Sequence, residues 1–379
     1  MHILLVGAGG YAAGYVKALL SNTDPSVKWT GVVDPYYAGS KVKSLIDAAG
    51  IAAYDTMEEF YQSHNADLAI ICTPTFLHRE QSICALAHGS HVLCEKPAAP
   101  TTEQAQEMLG AEQRYGRFLA IGYQWSYSAA IQALKADILR GDLGAPVSFR
   151  TAISWPRDRA YYGRGTGWGG RISRDGVLIL DSIASNACAH YLHNMLFLLG
   201  RDMETSTEVG DFEADCLRAN DIESFDTCAI RMRSVEGVSM YFIASHAAGV
   251  RRDPEFVYEF ERATVRFSQN EGSLIHAAFQ DGTEKCYGDP FEDQLKKLWD
   301  CVGAVRDGTR PICTVRTAMP HTRLIERMYG ECPIRDFPAE RIRETENGGG
   351  VYVDGLFRQM YDAYERGLLL SELDGDRES

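Results

Sequence analysis

Six short β-rich runs alternate with helical stretches across the first 122 residues, and this alternation constrains the fold more than any other feature. His2–Val6, Val27–Val33, Ile51–Tyr54, Asp67–Cys72, His91–Cys94 and Phe118–Gly122 read as strands. Helical spacing runs from the glycines after Val6 to about Leu20, and again over Lys41–Ala49, His78–His88 and Thr102–Tyr115. The Asp67–Cys72 run is continuous and rich in isoleucine, as expected of a strand buried on both faces. Strands separated by helices pair in parallel, because a parallel return needs a crossover, and right-handed crossovers give a doubly wound sheet. The expected class is α/β, with this sheet occupying residues 1–122.

Residues 123–379 change character. A helix over Ile131–Arg140 and the turn Gly141–Pro146 lead into strands at Val147–Trp155, 226–233, 237–245, 256–260 and 263–267. Helices are expected over Pro290–Arg306, Thr317–Tyr329 and 356–370. Long runs joined by short turns predict an α+β domain with a large, mostly antiparallel sheet. Its open face would form a substrate platform or the contact surface of a homo-oligomer. A chain of 379 residues, 45% hydrophobic and 24% charged, is long enough for two such cores.

In a doubly wound sheet, ligands gather at the carboxyl ends of the strands. The polar insertions fall there: Gly7–Ala12, Asp34, Thr73-Pro74 and Glu95-Lys96-Pro97. Gly7-Ala8-Gly9-Gly10-Tyr11-Ala12 fits G-x-G-x-x-G/A after a first strand, a turn that rests a pyrophosphate on the next helix N-terminus. Asp34 follows the second strand, 22 residues past Ala12. A carboxylate there accepts from ribose hydroxyls and repels a 2′-phosphate, so NAD is favoured over NADP. The alternative for Asp34 is an Asp-Pro turn.

Formal charge is −14, from 38 basic and 52 acidic side chains. Such a chain repels phosphate backbones and anionic lipid, so neither nucleic acid nor a membrane is an expected partner. The first sixteen residues lack a cationic start, and four glycines interrupt any targeting helix. Ten cysteines include no C-x-x-C pair, which predicts buried reduced thiols of a cytoplasmic protein and no metal site.

Together, Gly7–Ala12, Thr73-Pro74 with His78, and Glu95-Lys96-Pro97 resemble the Gfo/Idh/MocA oxidoreductase family. Gly122-Tyr123-Gln124, the Gly141–Pro146 turn and the segment from His190 to Gly200 are similar to its pattern as well. The resemblance covers residue 1 to about 330. It implies a Rossmann domain and a pyridine-nucleotide enzyme acting on a sugar or polyol, with Lys96 and His190 beside the nicotinamide. Thr73, Pro74, His78, Glu95, Lys96 and Gln124 then join Gly7, Gly9, Gly10, Tyr11, Ala12 and Asp34 around the cofactor. The chemistry agrees, since oxidising a secondary alcohol needs a base within reach of its hydroxyl. Lys96 on a strand end can polarise the hydroxyl; its bland reading is a surface ion pair with Glu95.

The family carries an aspartate four residues before the histidine, where this chain has Asn186. Asn186 and His190 would share a helix face, yet Asn cannot ionise. Asp181 can substitute only if the helix begins after it, and its bland reading is a helix cap. Either Asn186 or Asp181 fills the acidic role. His193 occupies a second family position and is otherwise a helix-surface residue. His321 has no assigned role.

Between Arg150 and Arg174 lie six arginines against Asp158 alone, interleaved with Trp155, Tyr161, Tyr162 and Trp168. Aromatic faces suit a sugar ring, and guanidinium suits carboxylate or phosphate. Arg159, Tyr162 and Trp168 are therefore candidate substrate contacts, on a loop that five glycines would keep mobile. The substrate would be carbohydrate-like, neutral or anionic. Two other readings keep the fold: a redox-cycling NAD-dependent glycosidase or lyase, and a non-catalytic sugar or dinucleotide sensor.

Overall fold

The computed structural model describes residues 1–165 and 167–375. The chain divides into two compact units, Met1–Tyr127 with Asp293–Thr322, and Ser128–Glu292 with Arg323–Ser379. The first unit thus includes a returning segment beyond the contiguous stretch expected to end at residue 122.

In the first unit, strands β1 (His2–Val6), β2 (Lys28–Val33), β3 (Ala53–Tyr54), β4 (Leu68–Ile71), β5 (His91–Cys94) and β6 (Leu119–Ile121) form one sheet. All pairs are parallel, in the order β3-β2-β1-β4-β5-β6. Helices α1 (Ala12–Leu20), α2 (Lys43–Ala48), α3 (Met57–Ser63), α4 (His78–Ala87) and α5 (Thr102–Tyr115) connect the strands. Leu68 to Ile71 are all fully buried, which explains the unbroken apolar run. An Ile70→Ala change in this core would cost about 2–5 kcal/mol.

The α3 helix was not expected; it is only seven residues long and depends on its cap, Thr56, whose hydroxyl accepts the Glu59 N–H. The α5 helix is capped in the same way by Thr101 and stops at Gly116, whose φ of +64° suits glycine.

Register decides where the site sits. Val6 pairs with Val33 on one side and with Ile71 on the other. Ile71 pairs with Cys94, and Cys94 with Ile121. Gly7, Asp34, Cys72, Glu95 and Gly122 therefore leave the sheet in one row. The order turns back between β1 and β4, where an open α/β sheet leaves its crevice.

The second unit holds a nine-stranded sheet. Its strands are β7 (Pro146–Ser154), β10 (Val209–Arg218), β11 (Thr227–Ser234), β12 (Ser239–Ser245), β13 (Arg252–Phe260), β14 (Ala263–Ser268), β15 (Ile275–Phe279), β16 (Glu284–Gly288) and β17 (Ile334–Asp336). A separate small hairpin, β8 (Ser173–Arg174) and β9 (Val177–Leu178), lies before β10. The sheet is mostly antiparallel, but β7 runs parallel to β12, and β17 to β10. One face was expected to be open. Part of it is not: Leu356 and Met360 of the helix Leu356–Arg366 pack with Ala152, Tyr241 and Ile243. The same face continues over β13–β15 as a strip in which Arg266 and His276 are exposed and Val257 and Glu259 partly so.

Among the described residues, no helix is long and apolar enough to cross a membrane, and no acidic, His and Cys cluster could hold a metal ion. The cysteines are not uniformly buried: Cys286 is exposed, and Cys72, Cys84 and Cys332 are partly so.

Candidate active site

Residue 7 must be glycine. Its φ is +91°, and a Cβ there would lie 2.6 Å from the Cys72 carbonyl oxygen. At Gly9 and Gly10, by contrast, a Cβ would meet nothing within 4 Å, so the loop leaves an open cradle before α1. Ala12 begins that helix and Tyr11 is its N-cap residue. The Asp34 carboxylate accepts the Ala8 N–H at 2.7 Å and the Tyr36 N–H at 2.8 Å. The first ties the end of β2 to the glycine-rich loop, the second closes a local Asx turn, and lone pairs remain for further donors.

Thr73 donates its hydroxyl to Gln81 Oε1 at 2.6 Å, and Pro74 starts the single turn Thr75–Leu77. His78 is buried, with Nδ1 2.8 Å from the Pro97 carbonyl oxygen and Nε2 2.9 Å from that of Thr73. The ring thus braces the two strand-end loops against each other. Burial holds its pKa below the ordinary value, against the pull of those carbonyls.

Glu95 is buried, so the surface ion pair imagined for Glu95 and Lys96 is replaced by a different one. Its partner is Lys297, on the helix Lys296–Asp307 of the returning segment. Burial would raise the Glu95 pKa, but the Lys297 ammonium and the Tyr15 hydroxyl outweigh it and hold the carboxyl ionised. Lys96 itself is partly exposed, and its peptide to Pro97 is cis. Gln124 accepts from the Tyr11 hydroxyl at 3.3 Å. Sequence reasoning missed Lys297, because a lysine beside Leu298 on an amphipathic helix reads as solvent-facing. His321, which the sequence leaves without a role, is buried in this unit with Nδ1 2.9 Å from the Tyr123 hydroxyl.

In the second unit the chain is buried from Ile179 to Gly200 except at Asn186, Ala187 and His190. These three open toward solvent from a π turn (Ile183–Ala187) and the first turn of the helix Ala189–Leu198. The continuous helix expected through Asn186 and His190 is interrupted at Cys188. Ser182, not Asp181, is the cap, forming a capping box with Ser185. Asp181 instead joins Asn186 and the Gly170 N–H, directly after Leu180, whose φ is +51°. A β-carbon residue held in that region is strained, as is common near functional sites.

Two expectations are corrected here, a surface position for His193 and a loose arginine-rich loop. His193 is not a surface residue; its ring is buried and stacked on Phe197. Arg159 points to Glu344, at 2.6 Å, and to the Gly348 carbonyl. The arginine-rich loop is also tied down rather than loose. Arg164 lies over the Tyr161 and Trp168 rings at 3.7 and 4.5 Å, and Arg171 pairs with Glu223. Gly170 packs so closely on Ile222 that a Cβ would lie 2.7 Å from it. Tyr162 and Trp168 are half-buried within that packing.

Residues 1–123 match the family model of the Gfo/Idh/MocA oxidoreductases, described as an oxidoreductase family with an NAD-binding Rossmann fold. D-glucoside 3-dehydrogenase of Escherichia coli (strain K12) is 30% identical over 145 residues, 38% of this chain and 40% of that relative. The chain thus matches well under half the length of the curated relative. The WlbA dehydrogenase from Bordetella pertussis, solved with NADH and UDP-GlcNAcA, superposes with a TM-score of 0.71 at 21% identity. That likeness covers 86% of this chain and 95% of the other. KijD10, a 3-ketoreductase from Actinomadura kijaniata solved with NADP and TDP-benzene, gives 0.70 at 16%, covering 89% and 99%. These two share the fold. With its glycine-rich turn and its row of strand ends, the segment 1–123 is that of the NAD-binding Rossmann fold of the Gfo/Idh/MocA oxidoreductase family, whose model it matches.

Proposed function

We propose that the chain is an NAD-dependent dehydrogenase that moves a hydride between the nicotinamide and a sugar, polyol or related hydroxy compound. The observation that carries this reading is the single row in which Gly7, Asp34, Cys72, Glu95 and Gly122 leave the sheet, with Lys96 one residue beyond Glu95. The residues fit a dinucleotide: the cradle at Gly9 and Gly10 is open, and no side chain fits at Gly7. Gly7 to Ala12 would hold the pyrophosphate, and Asp34 the adenosine ribose, which favours NAD over NADP. Tyr11, Thr73, Pro74, Glu95 and Gln124 would complete the pocket, with His78 bracing it from behind. NAD would supply the hydride acceptor.

Lys96 and His190 handle the proton in this reading. Lys96 polarises the reacting hydroxyl, and His190 takes its proton at a ring nitrogen. Asn186 binds the substrate through its carbonyl oxygen, because its amide is turned to Asp181. Asp181 therefore acts through Asn186 and not as the base. Tyr162 and Trp168 supply aromatic faces, whereas Arg159 reaches substrate only if it leaves Glu344. His193 supports the helix that carries His190. The sugar-acting relative and the acidic nucleotide sugar bound by WlbA support a carbohydrate-like substrate, neutral or anionic. The strip over β13–β15 is the surface left for a homo-oligomer.

Absorbance at 340 nm, with NAD and a panel of polyols, aldoses, sugar acids and glycosides, tests the assignment. Sustained NADH formation with one class supports it. Glycoside cleavage without net NADH formation supports the redox-cycling reading instead.

A further inference from the structure

We propose that Glu95 and Lys297 form a positioning pair for Lys96, locking the strand end that carries it to the glycine-rich loop. The proposal rests on the reading of Lys96 as catalytic. Both charges are buried, and Lys297 is wholly so, at 0% exposure. Glu95 Oε1 receives the Lys297 ammonium and the Tyr15 hydroxyl, the latter at 2.6 Å. Oε2 receives the backbone N–H of Lys96 at 3.3 Å. One carboxylate thus bridges a buried cation and the residue beside it on the chain.

The cation makes the remaining ties. Its ammonium donates to the Gly122 carbonyl at 3.1 Å, which fixes the end of β6. It also lies 4.6 Å from the Tyr11 ring centroid and 5.4 Å from that of Tyr15. Tyr11 is part of the glycine-rich turn, so the pair touches the loop, the β5 end and the β6 end at once. Residue 122 leaves no spare room, since a Cβ there would lie 2.9 Å from Glu95 Oε1 and 3.1 Å from Lys297 Nζ.

Stability alone gives little reason for such a pair, because apolar residues of similar volume usually serve a buried position as well or better. Orientation and charge do give one. The groups facing Glu95 are Tyr11 and Tyr15 of α1, Cys72 after β4, His78 of α4, Cys94 of β5, Tyr127, Lys96 and Lys297. Burial keeps the Tyr15 hydroxyl and the Cys72 thiol neutral, so Glu95 is the one anion among them. It places a fixed negative charge beside Lys96 and favours its ammonium form.

Glu95→Gln, Lys297→Met and the double variant test this in full-length protein. Competitive acetic anhydride labelling across pH, read by mass spectrometry without cofactor, reports the titration of Lys96. Its midpoint is expected to fall by about one pH unit in Glu95→Gln and in the double variant. The double variant, with no unpaired charge, should melt close to wild type, yet its kcat should stay at least about tenfold low with substrate KM little changed. Recovery of kcat together with stability, or a labelling midpoint unmoved in Glu95→Gln, would overturn the proposal. Glu95→Asp keeps the charge one methylene short; it should fold, keep the midpoint and still lower kcat, and full kcat there would also count against positioning. The labelling result stands even if no hydroxy compound is turned over, so it separates this proposal from the dehydrogenase reading.

Discussion

The side-chain amide of Asn186 donates to Oδ1 of Asp181 at 2.8 Å, while Oδ2 of the same carboxylate accepts the Gly170 N–H at 2.6 Å. Only the amide nitrogen can face a carboxylate, so the Asn186 carbonyl oxygen is turned away from it. The Asp181 carboxylate thus fixes an amide and a loop. Asp181→Ala should remove the acceptor shared by the Asn186 amide and the Gly170 N–H, costing about 1–3 kcal/mol. Thermal melting checks this: a Tm equal to wild type would show that these bonds contribute nothing.

Glycine substitutions should separate folding from cofactor binding. Gly7→Ala needs a positive φ and drives a Cβ into the Cys72 carbonyl, so both Tm and NAD affinity should fall. Gly9→Ala meets no protein atom, so Tm should hold while NAD affinity drops, as read by titration calorimetry. Equal NAD affinity in Gly9→Ala and wild type would place the pyrophosphate elsewhere.

Asp34 should set cofactor choice. Asp34→Ser removes the repulsion felt by a 2′-phosphate and the ribose bonds, and the NAD to NADP preference should fall at least about tenfold, roughly 1.4 kcal/mol. The variant also loses the carboxylate bonds to Ala8 and Tyr36, so some loss of Tm is expected alongside. Wild-type kcat/KM higher with NADP would contradict this.

Acid should weaken the first unit through His91. Burial, helped by Arg117, lowers its pKa to about 4 from an ordinary 6.5, and Nδ1 accepts the Phe118 N–H at 3.1 Å. The unfolded chain binds this proton below about 6.5 and the folded one only below about 4. Stability contributed by neutral His91 is therefore present above 6.5 and lost as pH falls through that window. Denaturant unfolding of His91→Gln, whose amide oxygen can still accept from Phe118, should show a shallower loss between pH 6.5 and 4 than wild type.

Much of the first unit was legible because strands buried on both faces, such as Leu68–Ile71, leave unbroken apolar runs, and because a positive φ at Gly7 leaves a glycine. The sequence was silent where partners are remote. Lys297 lies 202 residues from Glu95, and nothing near it marks a buried cation. The strand Val209–Arg218 does carry a signal, because Phe212, Ala214 and Cys216 alternate with Asp211, Glu213 and Asp215 in the period of a half-buried strand. Glycine count suggested a mobile loop before Asp181, but arginine–aromatic stacking and the Asp181 bond to Gly170 hold it. Charge counts do not show such pairing.

In the proposed reaction, Lys96 and His190 perform the proton chemistry of a hydride transfer. Steady-state kinetics of Lys96→Ala at 340 nm, with NAD binding measured in parallel, tests it most directly, and a pH–rate profile of His190→Asn accompanies it. In Lys96→Ala, kcat and kcat/KM should fall together by roughly 10²–10⁴ while NAD still binds. His190→Asn should lose the rise in rate with pH that a titrating base gives. Wild-type turnover in Lys96→Ala with a confirmed substrate would contradict the assignment and return weight to a non-catalytic sensor.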